Sequence, residues 1–391
     1  MINYTGEGPY KIAVVIPRYG LVGGAEQYVT EVTDRIAHDP SFNVHVFAHK
    51  WVSSNPKVTF HKVPVISHPR FLEPLTFAYF TEKMISRENF DLVHSHDRIF
   101  SSHIFTMHGI PHYLWVREIR KRRPHLHDLV IAWLEKKLVK SGRCGFFLAV
   151  SSLVKEKFLE AYPEIEEERV IVVPPGIDHR PFQELDSSLC RRDIRGRYGI
   201  GDKEVVLLFV GMNFEIKGLD RLLKVLVNVD KIVESTGKGR WRLLVVGKGK
   251  IGKYKKVAEK LGLAGKVLFT DVLKKSELLK VYLACDIFCM LSYFDTFGLV
   301  VLEAMAAGLP VVISERVGAK DVVKEGVNGF VIDDNESPQD CAEKLVALFA
   351  SAKRAEMGQK AREKALSLSW ENTAECLKNI YRAAGRNFFD I

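Results

Sequence analysis

A chain of 391 residues is long enough for two or three domains, each with its own core. With 47% apolar and 27% charged residues it is neither a disordered chain nor a membrane-spanning bundle, since no stretch approaches the roughly 20 apolar residues that cross a bilayer. The net charge of +9 suggests an anionic partner, but the excess is local: Leu114–Arg143 holds nine Lys/Arg against three Asp/Glu, which points to one anionic surface rather than nucleic acid. Met1–Pro9 is polar and the apolar run Ile12–Ile16 is too short for a signal peptide, so a cytoplasmic protein is expected. Six scattered cysteines without a CxxC pair read as small buried hydrophobes.

Short apolar runs rich in Val and Ile alternate with amphipathic stretches along nearly the whole chain. The first half offers strands at Lys11–Pro17, Val44–His49, Thr59–Val65, Leu92–His94, Ile104–Met107, Phe146–Val150 and Val170–Val173. After Pro174-Pro175-Gly176 and a polar stretch, Asp178–Gly201, read as a linker, the second half offers Val205–Val210, Arg242–Val246, Val267–Thr270, Ile287–Leu291, Val311–Ser314 and Phe330–Ile332. Helices follow at Gln339–Ala350, Ala352–Ser367 and Trp370–Arg386. Continuously apolar strands are those covered by helices on both faces, so each half should hold a parallel sheet. The expected architecture is α/β: two Rossmann-like domains facing across a cleft, residues 1–176 with the C-terminal helix 370–391 returning to them, and residues 177–369. Ligands of such sheets bind beyond the carboxyl ends of the strands.

Three loops carry chemistry. Gly20, Gly23 and Gly24 precede a helical pattern near Ala25, where backbone N–H groups can approach a phosphate. This is not GxGxxG and no acidic residue ends the second strand, so a nicotinamide dinucleotide is disfavoured; a plain tight turn is the alternative. In the second loop, Val210-Gly211-Met212-Asn213-Phe214-Glu215-Ile216-Lys217-Gly218, a lysine opens a helix where its ammonium can lie over a pyrophosphate, or simply be exposed. In the third, Asp295-Thr296-Phe297-Gly298-Leu299 leads into a helix carrying Glu303 and ending at Gly308-Leu309-Pro310, with backbone amides aimed at a diphosphate position.

These motifs, with Pro174–Asp178 (PPGID) and the acidic-x7-Glu pattern followed by AxxxGxPVV, resemble glycosyltransferase family 4, retaining enzymes of the GT-B fold, over essentially the full length. Within the family the chain is similar to the glucosyltransferase of the lipopolysaccharide inner core. The resemblance implies that Glu303 binds the ribose and that Lys217 neutralises the diphosphate. Amides at Gly23, Gly24 and Phe297–Leu299, with Thr296, Gly298 and Gly211, help hold the diphosphate. Asp295, where the family usually has Glu, would bind the donor sugar, His108 would lie beside the anomeric carbon, and Asp271–Lys274, centred on Val272, would hold the base. Met212 and Ile216 stand where the family has basic residues, and Arg18 is the expected substitute. A hexose, glucose from UDP-glucose, would pass to a lipid-linked or lipopolysaccharide-core saccharide. No cofactor beyond this co-substrate is expected and no metal. The rival readings are a nucleotide-sugar epimerase on the same fold and a non-catalytic nucleotide-sugar-binding protein.

All 13 histidines lie at or before His179, without CxxC or HExxH, and read as a polar acceptor-binding face. Arg117, Arg120, Lys121, Arg122 and Arg123, beside Tyr113, Leu114 and Trp115, read either as a solvated face or as a dock for the anionic inner face of the cell membrane.

Overall fold

The computed structural model describes residues 8–21 and 23–387 and divides into two compact units: 1–176 with 370–391, and 177–369. In the first, Ile12–Val15 and the other apolar runs form parallel strands β1 (Tyr10–Val15), β3 (Phe42–Ala48), β5 (Val58–Lys62), β6 (Leu92–Ser95), β7 (Ile104–Met107), β8 (Phe146–Ala149) and β9 (Val170–Val172). Their order is β5-β3-β1-β6-β7-β8-β9. Two short strands absent from the sequence reading, β2 (Arg18–Tyr19) and β4 (Lys50–Trp51), form a separate parallel ladder. Two residues are too few for a periodicity to register.

The second unit is a parallel sheet in the order β12-β11-β10-β13-β14-β15, from β10 (Val205–Met212), β11 (Trp241–Lys248), β12 (Val267–Phe269), β13 (Ile287–Met290), β14 (Val311–Ser314) and β15 (Gly329–Ile332). Helix Leu219–Thr236 buries Leu219, Leu222, Leu223, Leu226, Val229 and Val233 against it, the i, i+3, i+4, i+7 stripe of an amphipathic helix. Both sheets are doubly wound, so each has a point where the strand order reverses: between β1 and β6 in the first unit, between β10 and β13 in the second. At such a point the loops leave in opposite directions and open a crevice.

The C-terminal helix, Trp370–Asn387, belongs to the first unit. Its Trp370 is fully buried edge-to-face on Tyr28 (5.8 Å), Lys378 pairs with Asp39 (3.2 Å), and the Tyr381 hydroxyl lies 2.6 Å from His94 Nδ1. The polar stretch Asp178–Gly201 is not a linker. It folds into the second unit as helices Arg180–Gln183 and Ser187–Arg197, the latter capped by the Asp186 carboxylate, which accepts from the amides of Ser188 (2.8 Å) and Leu189 (3.0 Å). Arg195 of this helix is buried and donates to Asp286 at 2.5 Å, so its charge anchors the helix under the sheet.

Candidate functional site

At the reversal point of the second unit, the loop after β10 and the loop after β13 are tied together. The Ser292 hydroxyl donates to the Ile216 carbonyl (2.9 Å), and the Tyr293 amide donates to the same oxygen (2.8 Å). Gly218 starts helix Leu219–Thr236 at φ +73°, and a Cβ there would lie 1.9 Å from the Leu291 carbonyl oxygen. Only glycine satisfies both the positive φ and that approach. Gly298 (φ +90°) likewise starts helix Leu299–Ala306, and as a glycine it supplies no side-chain cap. The Lys217 ammonium is ion-paired with the Asp295 carboxylate. Its stem lies across Gly211, where a Cβ would meet Lys217 Cγ at 3.0 Å. Further along the same helix, the Glu303 carboxylate accepts from the Tyr282 hydroxyl (2.8 Å). Burial pushes the pKa of Glu303 up, and burial with the adjacent Glu303 charge raises that of Tyr282 far above the ordinary phenol. Tyr282 therefore keeps its proton and orients the carboxylate.

The first unit has its own cavity, about 760 Å³, at the carboxyl ends of its strands. Residues following β1 (Arg18), β3 (His49, Lys50), β6 (His96, Asp97, Arg98) and β7 (His108, Gly109) line it. His108 Nε2 is 3.0 Å from His96 Nδ1, and the His96 ring lies against His94, tilted by 38° with centroids 4.1 Å apart. Burial, then the nearby Arg98 charge, lowers the pKa of His108 to about 3. The imidazole is neutral at pH 7 and can donate or accept a hydrogen bond without carrying charge. Glu135 accepts from Arg98 (3.0 Å), from the Tyr162 hydroxyl (3.1 Å) and from the His112 amide (3.1 Å), so the buried carboxylate is fully used.

Two family models match the chain: "Glycosyltransferase Family 4" over residues 22–180 and "Glycosyl transferases group 1" over residues 191–364. The chain belongs to the family 4 glycosyltransferases. A D-inositol 3-phosphate glycosyltransferase of Stackebrandtia nassauensis is 28% identical over an alignment of 418 residues covering 96% of this chain and 91% of that protein. The same enzyme of Segniliparus rotundus is 32% identical over 245 residues, 61% of this chain but only 52% of that relative's length. Among solved structures, WaaG, a glycosyltransferase involved in lipopolysaccharide biosynthesis, superposes with TM-score 0.76 at 22% identity (95% of this chain, 99% of that chain). Anabaena HepE in complex with UDP-glucose superposes with TM-score 0.71 at 17% identity (95% and 99%). These neighbours share the GT-B fold.

In this family 4 glycosyltransferase, Gly211, Lys217, Asp295, Thr296, Phe297, Gly298, Leu299 and Glu303 come together at the reversal point of the second sheet. Val272 does not join them: it is exposed beyond β12, the outermost strand, with β11 between it and β10. Arg18, Gly23, Gly24 and His108 belong to the first unit. Gly24 opens helix Gly24–Ala37, but a Cβ on Gly23 would lie 2.0 Å from Glu26 Oε2. A carboxylate already occupies that helix start, and it must move for a phosphate to use the Gly23 and Gly24 amides. Tyr282 and Lys248 escaped the sequence reading. Met212 is in parallel register with Lys248 of β11, a lysine in no ion pair among the described residues, so a basic residue neighbours the position that lacks one; only strand pairing reveals that neighbour.

The basic segment also differs from its reading. Arg122 donates to both oxygens of Asp128 (2.6 and 3.0 Å), whose carboxyl the Arg122 guanidinium holds well below the usual range, so Arg122 closes the loop rather than facing solvent freely. Arg117 pairs with Glu118 (2.8 Å), whereas Arg120, Lys121 and Arg123 are exposed and in no ion pair among the described residues. Leu114 is buried and is no surface anchor. The exposed apolar side chains are Tyr113 and, on helix Leu126–Val139, Leu126, Leu129 and Trp133, spaced to share one face. No helix among the described residues is long and apolar enough to cross a membrane, and no three His, Cys, Asp or Glu among them are arranged to hold a metal ion.

Proposed function

We propose that this enzyme transfers a hexose, glucose from UDP-glucose, with retention of anomeric configuration, to a saccharide acceptor bound by the first unit. The observation that carries this reading is the Lys217–Asp295 ion pair at the reversal point of the second sheet, beside a helix start with no side-chain cap. A diphosphate has the charge to take the ammonium from Asp295, and the released carboxylate then accepts from a sugar hydroxyl. Glu303, held by Tyr282, accepts from the ribose. The acceptor hydroxyl attacks the anomeric carbon from the face that the phosphate leaves. The carbon–phosphate-oxygen bond breaks as the glycosidic bond forms, and the departing phosphate oxygen takes the acceptor proton. Neutral His108, in the first unit, can offer the acceptor a hydrogen bond without carrying charge. Lys217, with Lys248 beside Met212, supplies the positive charge that the leaving diphosphate needs, which supports metal-independent transfer.

A panel of nucleotide sugars assayed with and without a chelator, paired with UDP titration of Glu303→Ala, tests the reading. UDP-glucose should be turned over in both conditions, and the variant should bind UDP about 10–150-fold more weakly through loss of a charge-assisted contact. Unchanged UDP affinity in a folded Glu303→Ala protein would remove the ribose assignment.

The acceptor is proposed to be lipid-linked, with the protein docked peripherally on an anionic membrane through Arg120, Lys121, Arg123 and the exposed Leu126, Leu129 and Trp133. Changing Arg120, Lys121 and Arg123 to Gln, and sparing Arg122 because it secures Asp128, should weaken binding to acidic vesicles by about 3 kcal/mol at low salt. The difference should shrink as salt rises. Co-sedimentation that is equal for both proteins would leave the segment a solvated face.

A further inference from the structure

His96 and His108 follow the paired parallel strands β6 and β7, and both line the cavity of the first unit. Each ring is packed in place. His96 lies against His94, which is held by the hydroxyls of Tyr381 (2.6 Å) and Thr106 (2.7 Å), and the His96 amide donates to the Val15 carbonyl (2.9 Å). His108 packs edge-on against the buried Tyr28 (5.1 Å), which packs in turn on Trp370. His96 Nδ1 and His108 Nε2 therefore face each other at 3.0 Å.

Burial lowers the pKa of both rings, so both are neutral at pH 7. Two neutral imidazole nitrogens at this distance share one proton, because two lone pairs repel and two N–H groups clash. The tautomers are then coupled. If His96 Nδ1–H donates, His108 carries its own proton on Nδ1 and His96 Nε2 is bare. If His108 Nε2–H donates, His108 Nδ1 is bare and His96 carries its proton on Nε2. In either case the two remaining nitrogens, His96 Nε2 and His108 Nδ1, are one donor and one acceptor. Neither has a hydrogen-bond partner among the described residues.

We propose that His96 is a positioning residue: by holding His108 Nε2 it fixes the tautomer that His108 presents to the cavity, and the pair thereby selects a neutral hydroxyl. The inference rests on the reading that the first unit holds the saccharide acceptor. A hydroxyl donates and accepts at once, so it matches a donor and an acceptor nitrogen side by side. A carboxylate only accepts and an ammonium only donates, so each leaves one of the two nitrogens unmatched. His96 acts through His108 and need not touch the reacting atoms.

The test is nitrogen NMR of the histidine rings in the isotope-labelled full chain, for wild type and His96→Phe, with His108→Ala identifying the His108 signals. A fixed tautomer shows one protonated and one bare ring nitrogen, whereas exchange between tautomers draws the two shifts together. Wild-type His108 should show the first pattern and His96→Phe the second. Turnover of UDP-glucose with water as the acceptor gives a second readout. His96→Phe should lower it about tenfold with UDP affinity unchanged. His96→Asn, whose amide reaches the place of Nδ1, should restore most of it, and in a His108→Ala background the His96→Phe loss should vanish. Averaged His108 shifts in the wild type would overturn the proposal, as would a fixed His108 tautomer in folded His96→Phe or losses from the two substitutions that simply add. Absence of UDP-glucose turnover in the wild type would strike the donor reading alone, because the tautomer measurement needs no turnover and still decides the role of His96.

Discussion

Lys217→Ala is expected to lower turnover by about 10²–10³-fold while weakening UDP binding much less, because the ammonium matters most as charge builds on the leaving phosphate oxygen. That ammonium is engaged by Asp295, so part of its ground-state attraction to the diphosphate is offset by breaking the ion pair. In the transition state the leaving oxygen carries more charge and the balance shifts further towards the ligand. Lys248, on the strand beside Met212, remains in Lys217→Ala, so Lys248→Ala alone should cost less than Lys217→Ala. Steady-state kinetics with calorimetric UDP titration separates the two effects. Equal losses in turnover and affinity would make Lys217 a ground-state binder only.

Acidification should destabilise the first unit well before its carboxylates titrate. His94 and His96 are buried; His94 is hydrogen-bonded to Tyr381 (2.6 Å) and Thr106 (2.7 Å), and His96 to His108 (3.0 Å). Burial, reinforced by His108, lowers the pKa of His94 to about 3, and burial, reinforced by Arg98, does the same for His108. His96 is lowered as well, by burial and by its two histidine neighbours. For His94 and His108 the depressed pKa means that the unfolded chain takes up a proton near pH 6.5 while the folded chain does not until about pH 3, and the shift at His96 has the same sign. Stability is therefore undiminished above pH 6.5 and falls as pH drops below it. At about 1.4 kcal/mol per pH unit, His94 alone should cost about 2 kcal/mol at pH 5, and His108 a similar amount. Denaturant unfolding at pH 7.5 and pH 5.0 reads this directly. His94→Gln should lower stability at pH 7.5 but reduce the difference between the two pH values. A difference that persists unchanged in His94→Gln would place the acid sensitivity elsewhere.

The degree to which the molecule was legible in its sequence differs from element to element. Ile104–Met107 emerged with its exact bounds because three apolar residues and a β-branched threonine stand between His103 and His108, and the helices after Pro338 emerged because their apolar residues keep a helical period. The stretch 178–201 was misread because glycines and charges outweighed a local signal that was present: Asp186 before Ser187-Ser188-Leu189 is a helix start. In the site, Lys217, Asp295 and Glu303 were legible because a loop joining strand to helix needs glycine where φ is positive and polar residues where a ligand sits. Leu114 was misjudged because a composition window cannot say which side of a helix faces the core.

By itself, then, the sequence determined the apolar runs that become the two parallel sheets, the helical end of the chain and the loops proposed to carry the donor chemistry, all of which show in the pattern of residues close in the chain. Tertiary structure alone decided that Tyr282 holds Glu303, that Arg122 is bound to Asp128, that Lys248 lies beside Met212 and that Arg18 lies opposite Lys50. The latter two depend on strand register and the first two on which side of a helix or loop meets its neighbour. Register is set by how whole apolar faces pack, so no local pattern around any one of these residues encodes its partner.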